Sequence, residues 1–200
     1  GTPTWSTPTS GSFQPAYYGT FVSTANQANG GATTANAVSF DTTALSNGIS
    51  ITSSNRITFA NAGIYLIAFE LAVNNSTGSN TTIKSWLAQN GTNIANTTSD
   101  LTILGGANQP QLLEQQWIVN VNAGDYVQIY WASSATTVSL VYQAAATSPT
   151  RPASPSAIVN IAFIPPSGSN LVVNSSTITG GTSGYVLYDN AGTVGEIAKS

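Results

Sequence analysis

The sequence predicts an all-β protein in which short antiparallel strands form a sandwich. Apolar runs recur at intervals of roughly 8 to 12 residues along most of the chain, the spacing found in sandwiches and barrels. Asn-Gly dipeptides at residues 29–30, 47–48 and 90–91 lie between such runs, and both residue types tolerate the positive φ angles of tight hairpins. Amphipathic helix patterns are almost absent. Spacing, turn residues and missing helix signals together define the fold class.

Eleven apolar runs are predicted to be strands, which is sufficient for a jelly-roll sandwich of about ten antiparallel strands. Their approximate bounds are Tyr17 to Ser23, Ala37 to Phe40, Ile49 to Thr52, Arg56 to Ala60, Ile64 to Asn74, Thr82 to Gln89, Asp100 to Leu104, Leu112 to Val121, Tyr126 to Ala132, Val138 to Ala144 and Ala157 to Ile164.

Composition divides the chain into three parts. Residues 1–15 contain three prolines and no hydrophobic periodicity, which predicts an extended N-terminal arm. Residues 16–165 form the predicted jelly-roll domain. Residues 166–200 begin as a linker and contain two short β-type runs, Leu171 to Val173 and Tyr185 to Tyr188. This last part is too short for a core of its own, so we expect it to pack on the domain or to intertwine with copies of itself.

One predicted strand, Ile64 to Val73, is apolar on both faces. Its odd positions, including Tyr65 and Phe69, form one apolar face, and its even positions are also apolar except for Glu70. A strand of this kind has to be covered on both sides. The covering layer is either a second layer of the same chain or a neighbouring subunit, and the sequence leaves both alternatives open.

Composition also excludes several kinds of site. The 200 residues include four Lys or Arg and seven Asp or Glu, but neither His nor Cys. Nucleophilic triads, imidazole or thiolate metal sites and disulfides therefore have no residues to build them. We expect no cofactor, no metal and no enzymatic activity. Four scattered cations predict no nucleic-acid binding, and the lack of an apolar run near 20 residues predicts no membrane insertion.

Residues 56–69 carry a resemblance to a known family. An apolar strand leads through a short turn to Gly63, Tyr65 and Phe69, with apolar residues alternating along the second strand. This pattern resembles the central signature of the complement globular-head and tumour-necrosis-factor-like domains. Gly124 and Asp125 lie directly before a core strand, as in that family. The resemblance covers roughly residues 16–164 and implies a homotrimeric jelly roll.

The Ser-, Thr-, Asn- and Ala-rich composition, with the segments at residues 148–152 and 178–188, resembles bacteriophage virion proteins. This resemblance implies part of a tail fibre or head fibre, or a capsid decoration, on the surface of the extracellular particle. It also implies that the N-terminal arm contacts other virion proteins and that the chain contacts the host surface. A bacterial spore-surface protein with the same head is a weaker alternative.

Two sets of residues are candidate sites. A carboxylate-dependent polysaccharide depolymerase needs two acids, and Glu70 and Glu114 are the pair on predicted strands. An ion pair with Arg56 or Lys84, or a subunit contact, is the structural alternative for these acids. The remaining acids are Asp41 and Asp125, which are expected to cap turns, and Asp100, Asp189 and Glu196.

Aromatic residues on predicted strands form the second set, since sugars stack on Trp and Tyr rings. Burial in the core or in a subunit interface is the favoured alternative, because large aromatics dominate both. The residues predicted to contact an interface or a glycan are Trp86, Trp117, Tyr126 and Tyr130.

Overall fold

A computed structural model describes residues 17–106, 110–165, 185–190 and 193–198, the last two ranges by their backbone. The chain divides into two compact units, one of residues 15–165 and one of residues 1–14 and 166–200. The predicted N-terminal arm and the linker after residue 165 lie outside the described residues. In the second unit, Tyr185–Asn190 and Thr193–Ala198 pair as an antiparallel hairpin.

The described residues contain eighteen strands and no helix. The strands are β1 (Tyr18–Ser23), β2 (Gln27–Ala28), β3 (Asn36–Ala37), β4 (Thr42–Asn47), β5 (Ile49–Thr52), β6 (Arg56–Phe59), β7 (Gly63–Asn75), β8 (Thr81–Gln89), β9 (Thr92–Asn93), β10 (Ser99–Ile103), β11 (Gln111–Val121), β12 (Tyr126–Ser133), β13 (Val138–Leu140), β14 (Ala146–Thr147), β15 (Thr150–Arg151), β16 (Ala157–Ile164), β17 (Tyr185–Asn190) and β18 (Thr193–Ala198).

Two antiparallel sheets make up the sandwich of residues 15–165. Sheet 1 has the order β2-β13-β7-β16-β1-β4. Strand β13 pairs with residues 73–75 of β7 and β16 with residues 64–71, and β11 pairs along the opposite edge of β7. Sheet 2 has the order β10-β8-β12-β6-β5, with β3 beside β12 and β9 beside β8. The chain crosses between the sheets at β2 to β3, β3 to β4, β4 to β5, β6 to β7, β7 to β8, β10 to β11, β11 to β12 and β12 to β13. This order is a jelly roll, so the predicted all-β antiparallel fold is confirmed.

Alternation along β7 and β12 places the core between the sheets. Tyr65, Ile67 and Leu71 of β7 are fully buried, as are Ile129 and Trp131 of β12. Successive side chains of a strand point to opposite faces, so the predicted odd-numbered face of β7 is the core face. Burial raises the pKa of Tyr65, whose hydroxyl donates a hydrogen bond to the carbonyl of Asn61 at 3.0 Å.

Gly63, which begins β7, fills a position that only glycine fits. Its φ of 154° lies outside the range that L side chains normally adopt. A Cβ atom there would lie 2.5 Å from the ring of Phe163. That ring also packs against Tyr65, with centroids 5.4 Å apart. Gly63 and Tyr65, two of the residues that carry the family resemblance, therefore both lie against the ring of Phe163.

The strand predictions fail in several places. The sequence does not predict the strands β2, β9, β14, β15 and β18, and the predicted strand Val138 to Ala144 ends at Leu140. Two further differences lie within residues 37–47. Residues Thr42–Asn47, for which the sequence predicts no strand, form β4, an exposed strand paired with β1. The segment from Ala37 to Phe40 was predicted to be a strand, but pairing ends at Ala37. Val38 and Phe40 are buried outside any strand. The segment at Val38 and Phe40 keeps its alternating burial without continued strand pairing, so its pattern resembles that of a strand. The exposed strand β4 has no alternation from which it could be predicted.

The Asn-Gly turns also differ from one another. Asn90 and Gly91 both have positive φ, 50° and 80°, and form the predicted tight turn between β8 and β9. Asn29-Gly30 does not form a two-residue hairpin, because β2 ends at Ala28 and β3 starts at Asn36. Instead, the buried Asn29 amide donates hydrogen bonds to the carbonyls of Ser133 and Ala135, both at 3.1 Å.

Candidate functional site

The Asp125 carboxylate holds the turn between β8 and β9 to the turn between β11 and β12. It accepts hydrogen bonds from the backbone N–H of Asn122 at 2.8 Å, the Asn90 amide at 2.7 Å and the Gln89 amide at 2.9 Å. These bonds, the Asn122 N–H first, lower the pKa of Asp125 below its ordinary 3.8. Gly124 beside it has a φ of 86°. Asp125 is thus a turn-stabilising residue, as its position before a core strand predicts.

Replacing Asp125 with asparagine is expected to lower thermal stability at neutral pH and to have little effect in acid. A depressed pKa in the folded state means that the carboxylate stabilises the fold above its ordinary pKa and loses that contribution as pH falls through the lower folded value. Melting temperatures of wild type and Asp125→Asn at pH 7 and pH 2 measure this. The control is Asp100→Asn, at the exposed ion pair with Lys84. A stability difference that is equal at both pH values would contradict the assignment.

Asp41 also stabilises a turn. Partial burial alone would raise its pKa, but hydrogen bonds from the Thr24 backbone N–H and from the hydroxyls of Thr42 and Thr24 outweigh burial and lower it. The Thr24 N–H and hydroxyl donate to one carboxylate oxygen of Asp41 at 2.9 and 3.0 Å. These bonds tie the end of β1 to the start of β4.

The outer face of sheet 1 carries most of the exposed aliphatic side chains of the described residues. Of the six large aliphatic side chains that are exposed in the described residues, five project outward from this sheet. Residues directly opposite one another on paired strands share a face, and the register places Ile118 opposite Leu66 and Ile164 opposite Ile64. We call this surface the apolar face; its exposed aliphatic residues are Leu45, Ile64, Leu112, Ile118 and Ile164.

Two acids lie at the centre of the apolar face. The pairing of β7 with β11 places Glu70 directly opposite Glu114, the geometry in which like charges repel across a sheet. Ile158 of β16 lies on the other side of Glu70. The three residues line a concavity of about 560 Å³ together with Ala68, Gln116 and Asn160.

The cations proposed as partners of these acids lie elsewhere. Among the described residues, the salt bridge is that of Lys84 with Asp100. The Arg56 guanidinium lies 4.4 Å from the centroid of the Tyr126 ring. The predicted ion pairs of Glu70 or Glu114 with Arg56 or Lys84 are therefore wrong, because sheet pairing places the cations on sheet 2 and the acids on sheet 1.

The outer face of sheet 2 carries aromatic rings and polar side chains. Trp86 and Tyr130 are directly opposite each other on β8 and β12, and their rings stack with centroids 5.7 Å apart and planes 13° apart. Tyr126 points to the same side of β12, two rows away, with Arg56 over its ring. We call this surface the aromatic face, and it unites three of the four aromatic candidates.

Trp117, the fourth candidate, lies on a different surface. It is paired with the core residue Ile67 and points inward from β11, where it packs partly buried against the core. Its indole N–H donates to Gln115 at 3.2 Å. The alternation along β11 is the sequence signal that distinguishes Trp117 from the other three candidates. The residues beside it, Gln116 and Ile118, face outward, so Trp117 faces the core.

The described residues contain no group of three His, Cys, Asp or Glu side chains that could hold a metal ion. In the same ranges, no helix has the length and apolar character of a membrane span.

No family model and no curated protein matches this sequence. Solved structures to which the chain is similar include murine APRIL at pH 8.0, with 12% sequence identity, a TM-score of 0.48, and coverage of 74% of this chain and 98% of that one. Murine APRIL at pH 8.5 gives 10% identity and a TM-score of 0.47 over 74% and 98%. The globular domain of the zebrafish complement 1qA protein gives 12% identity and a TM-score of 0.43 over 75% and 96%. The jelly-roll architecture of this chain follows from its own strand order.

Proposed function

We propose that this protein is a structural subunit of a bacteriophage particle, a homotrimeric jelly roll that forms part of a tail fibre or head fibre or decorates the capsid. The observation that carries the proposal is the apolar face. Five exposed aliphatic side chains on the outer face of one sheet favour an interaction surface, since single soluble chains rarely leave large apolar patches uncovered. The partner in this proposal is another copy of the chain.

The geometry of the apolar face favours a ring of copies over a two-fold dimer. A two-fold contact would place the same face of two copies together and bring the Glu70 and Glu114 carboxylates of both into one interface. In a ring, one copy can cover the apolar face of the next with a different surface, for which the outer edge of β11 is available. We infer that the ring has three copies because residues 56–69 and 124–125 resemble a family of trimeric domains.

The virion context is supported by the composition and by the two segments that resemble bacteriophage proteins. In this proposal the N-terminal arm of residues 1–15 docks the subunit on other virion proteins, and the exposed end of the trimer contacts the host surface. The role is mechanical and adhesive and requires no catalysis.

Two measurements test the proposal. Light scattering coupled to size exclusion should give a mass three times that of the 20.5 kDa chain. Antibody labelling of purified particles in negative stain should mark the particle surface. A monomeric mass would contradict the assembly, and label on cells but not on particles would contradict the virion role.

The direct opposition of Glu70 and Glu114 favours one second candidate, a carboxylate-dependent polysaccharide depolymerase. Retaining glycosidases place two carboxyl groups roughly 5 Å apart, and side chains directly opposite on a sheet have Cβ atoms at about that separation. Under this alternative, the protein should reduce the viscosity of a capsular polysaccharide, and Glu114→Gln should abolish the reduction. Under the structural proposal, neither wild type nor variant changes the viscosity.

A further inference from the structure

The aromatic face differs chemically from the apolar face. Its side chains are aromatic, amide, hydroxyl and charged groups, whereas the exposed aliphatic residues of the sandwich lie mostly on sheet 1. The two faces belong to opposite sheets of one sandwich, so a copy that uses sheet 1 for assembly leaves the aromatic face outward. Flat rings with polar groups beside them suit a ligand with both apolar and hydroxylated surfaces.

The rings of the aromatic face are held in fixed positions by neighbouring amides. The indole N–H of Trp86 donates to the Asn93 side-chain carbonyl at 2.9 Å. On the other side of the pair, the Tyr130 hydroxyl lies 3.5 Å from the Gln128 carbonyl, and the Gln128 amide donates to Asn55 at 3.0 Å. Because these contacts already orient the rings, a ligand would not have to order them on binding.

The aromatic face also carries a cation without an acidic partner. Among the described residues, Arg56 forms no salt bridge, and its exposed guanidinium is held over the Tyr126 ring. The other cation of this face, Lys84, is neutralised by Asp100. A planar guanidinium with free donors is suited to a carboxylate, which it can bind through two parallel hydrogen bonds.

From this arrangement we infer that the aromatic face binds an acidic oligosaccharide. One sugar ring would pack against the Trp86 and Tyr130 pair, and the carboxylate of a uronic acid farther along the same chain would bind Arg56, which lies over Tyr126. The rows of Tyr126 and Tyr130 are about 13 Å apart along β12, since four residues of a strand span that distance. This spacing requires a glycan longer than a disaccharide. The inference goes beyond the proposed function, because it concerns the sheet that is not used for assembly and holds for a single copy as well as for a trimer.

The test compares an acidic oligosaccharide with a neutral one of the same linkage, both long enough to span the two rows. The probes are tetragalacturonic acid and the neutral α-1,4-galactotetraose, titrated by calorimetry into the purified full chain at low salt. We expect the acidic probe to bind with a dissociation constant about threefold or more below that of the neutral one, the effect of one exposed charge pair. Equal affinities would overturn the acidic class, and no binding of either probe would overturn the inference.

Variants assign the binding to the aromatic face. Arg56→Gln should lower the affinity for the acidic sugar to that of the neutral one, and Trp86→Ala should abolish binding of both. Trp86→Phe keeps an aromatic ring on the strand and should retain part of the affinity. Trp117→Phe, the same change on sheet 1, is the matched control and should bind like wild type. Binding that survives Arg56→Gln and Trp86→Ala unchanged, in variants with wild-type circular dichroism, would overturn the inference. The mass of each variant is measured separately, so failed assembly and failed glycan binding are distinguishable.

Discussion

If the proposed trimer forms through the apolar face, Ile118→Glu is expected to convert it to folded monomers. Ile118 is 68% exposed and points outward from the edge strand β11, so in one copy the change costs the fold little. In the assembly, the substitution removes about 1.5–3 kcal/mol of apolar burial per side chain. It also places an unpaired charge where water is excluded. The loss of even ~3 kcal/mol raises a dissociation constant by more than about 100-fold.

Light scattering at several protein concentrations measures the mass of Ile118→Glu, and circular dichroism measures whether it is folded. The matched control is Leu104→Glu. Leu104 is similarly exposed, at 54%, but follows β10 and does not lie on the apolar face. The control should keep the wild-type mass. If Ile118→Glu also keeps it, or if both variants dissociate, the apolar face is not the interface between copies.

The double variant Glu70→Gln with Glu114→Gln is expected to associate more tightly than wild type. In the wild-type chain, two carboxylates face each other on the surface that the proposal buries, and no cation of the described residues pairs with them. The neighbouring side chains Ile158, Gln116 and Asn160 carry no charge. Neutral amides keep the shape of both side chains but remove the repulsion and the cost of burying the charges. We expect a decrease of roughly tenfold in the dissociation constant.

Sedimentation equilibrium at low and high salt measures this effect. Screening by salt should tighten the association of wild type and should have a smaller effect on the double variant, because its repulsion is already removed. The opposite change, Gln116→Glu on the same strand, adds a third acid to the apolar face and should weaken association. An unchanged dissociation constant in the double variant would show that the two acids lie outside the contact between copies.

Local patterns predicted the parts of the fold that depend on local rules. Tyr65 and Phe69 lie on the core face of β7 as the sequence predicts, because alternation in a central strand is enforced by burial on the core side. The tight turn at Asn90-Gly91 was also predictable, since both residues adopt positive φ. The polar segment of β4 was not, because a strand exposed along its whole length has no apolar alternation to reveal it.

The candidate sites depended more on tertiary structure. Among the aromatic candidates, the sequence placed Trp86, Trp117, Tyr126 and Tyr130 on strands but did not show which of them share a surface. Strand pairing separates Trp117 from the others. The same pairing moves Arg56 and Lys84 away from the acids with which they were expected to pair.

The sequence by itself determined the all-β class, the fact that the odd-numbered residues of β7 face the core, and the presence of more apolar surface than one core requires. Tertiary structure alone decided that Glu70 lies opposite Glu114 and that Trp86 stacks on Tyr130. The physical reason is the reach of each interaction. Alternation is a property of neighbouring residues, whereas register is set by hydrogen bonds and packing between strands far apart in the chain, and a shift by one residue would turn every side chain to the other face.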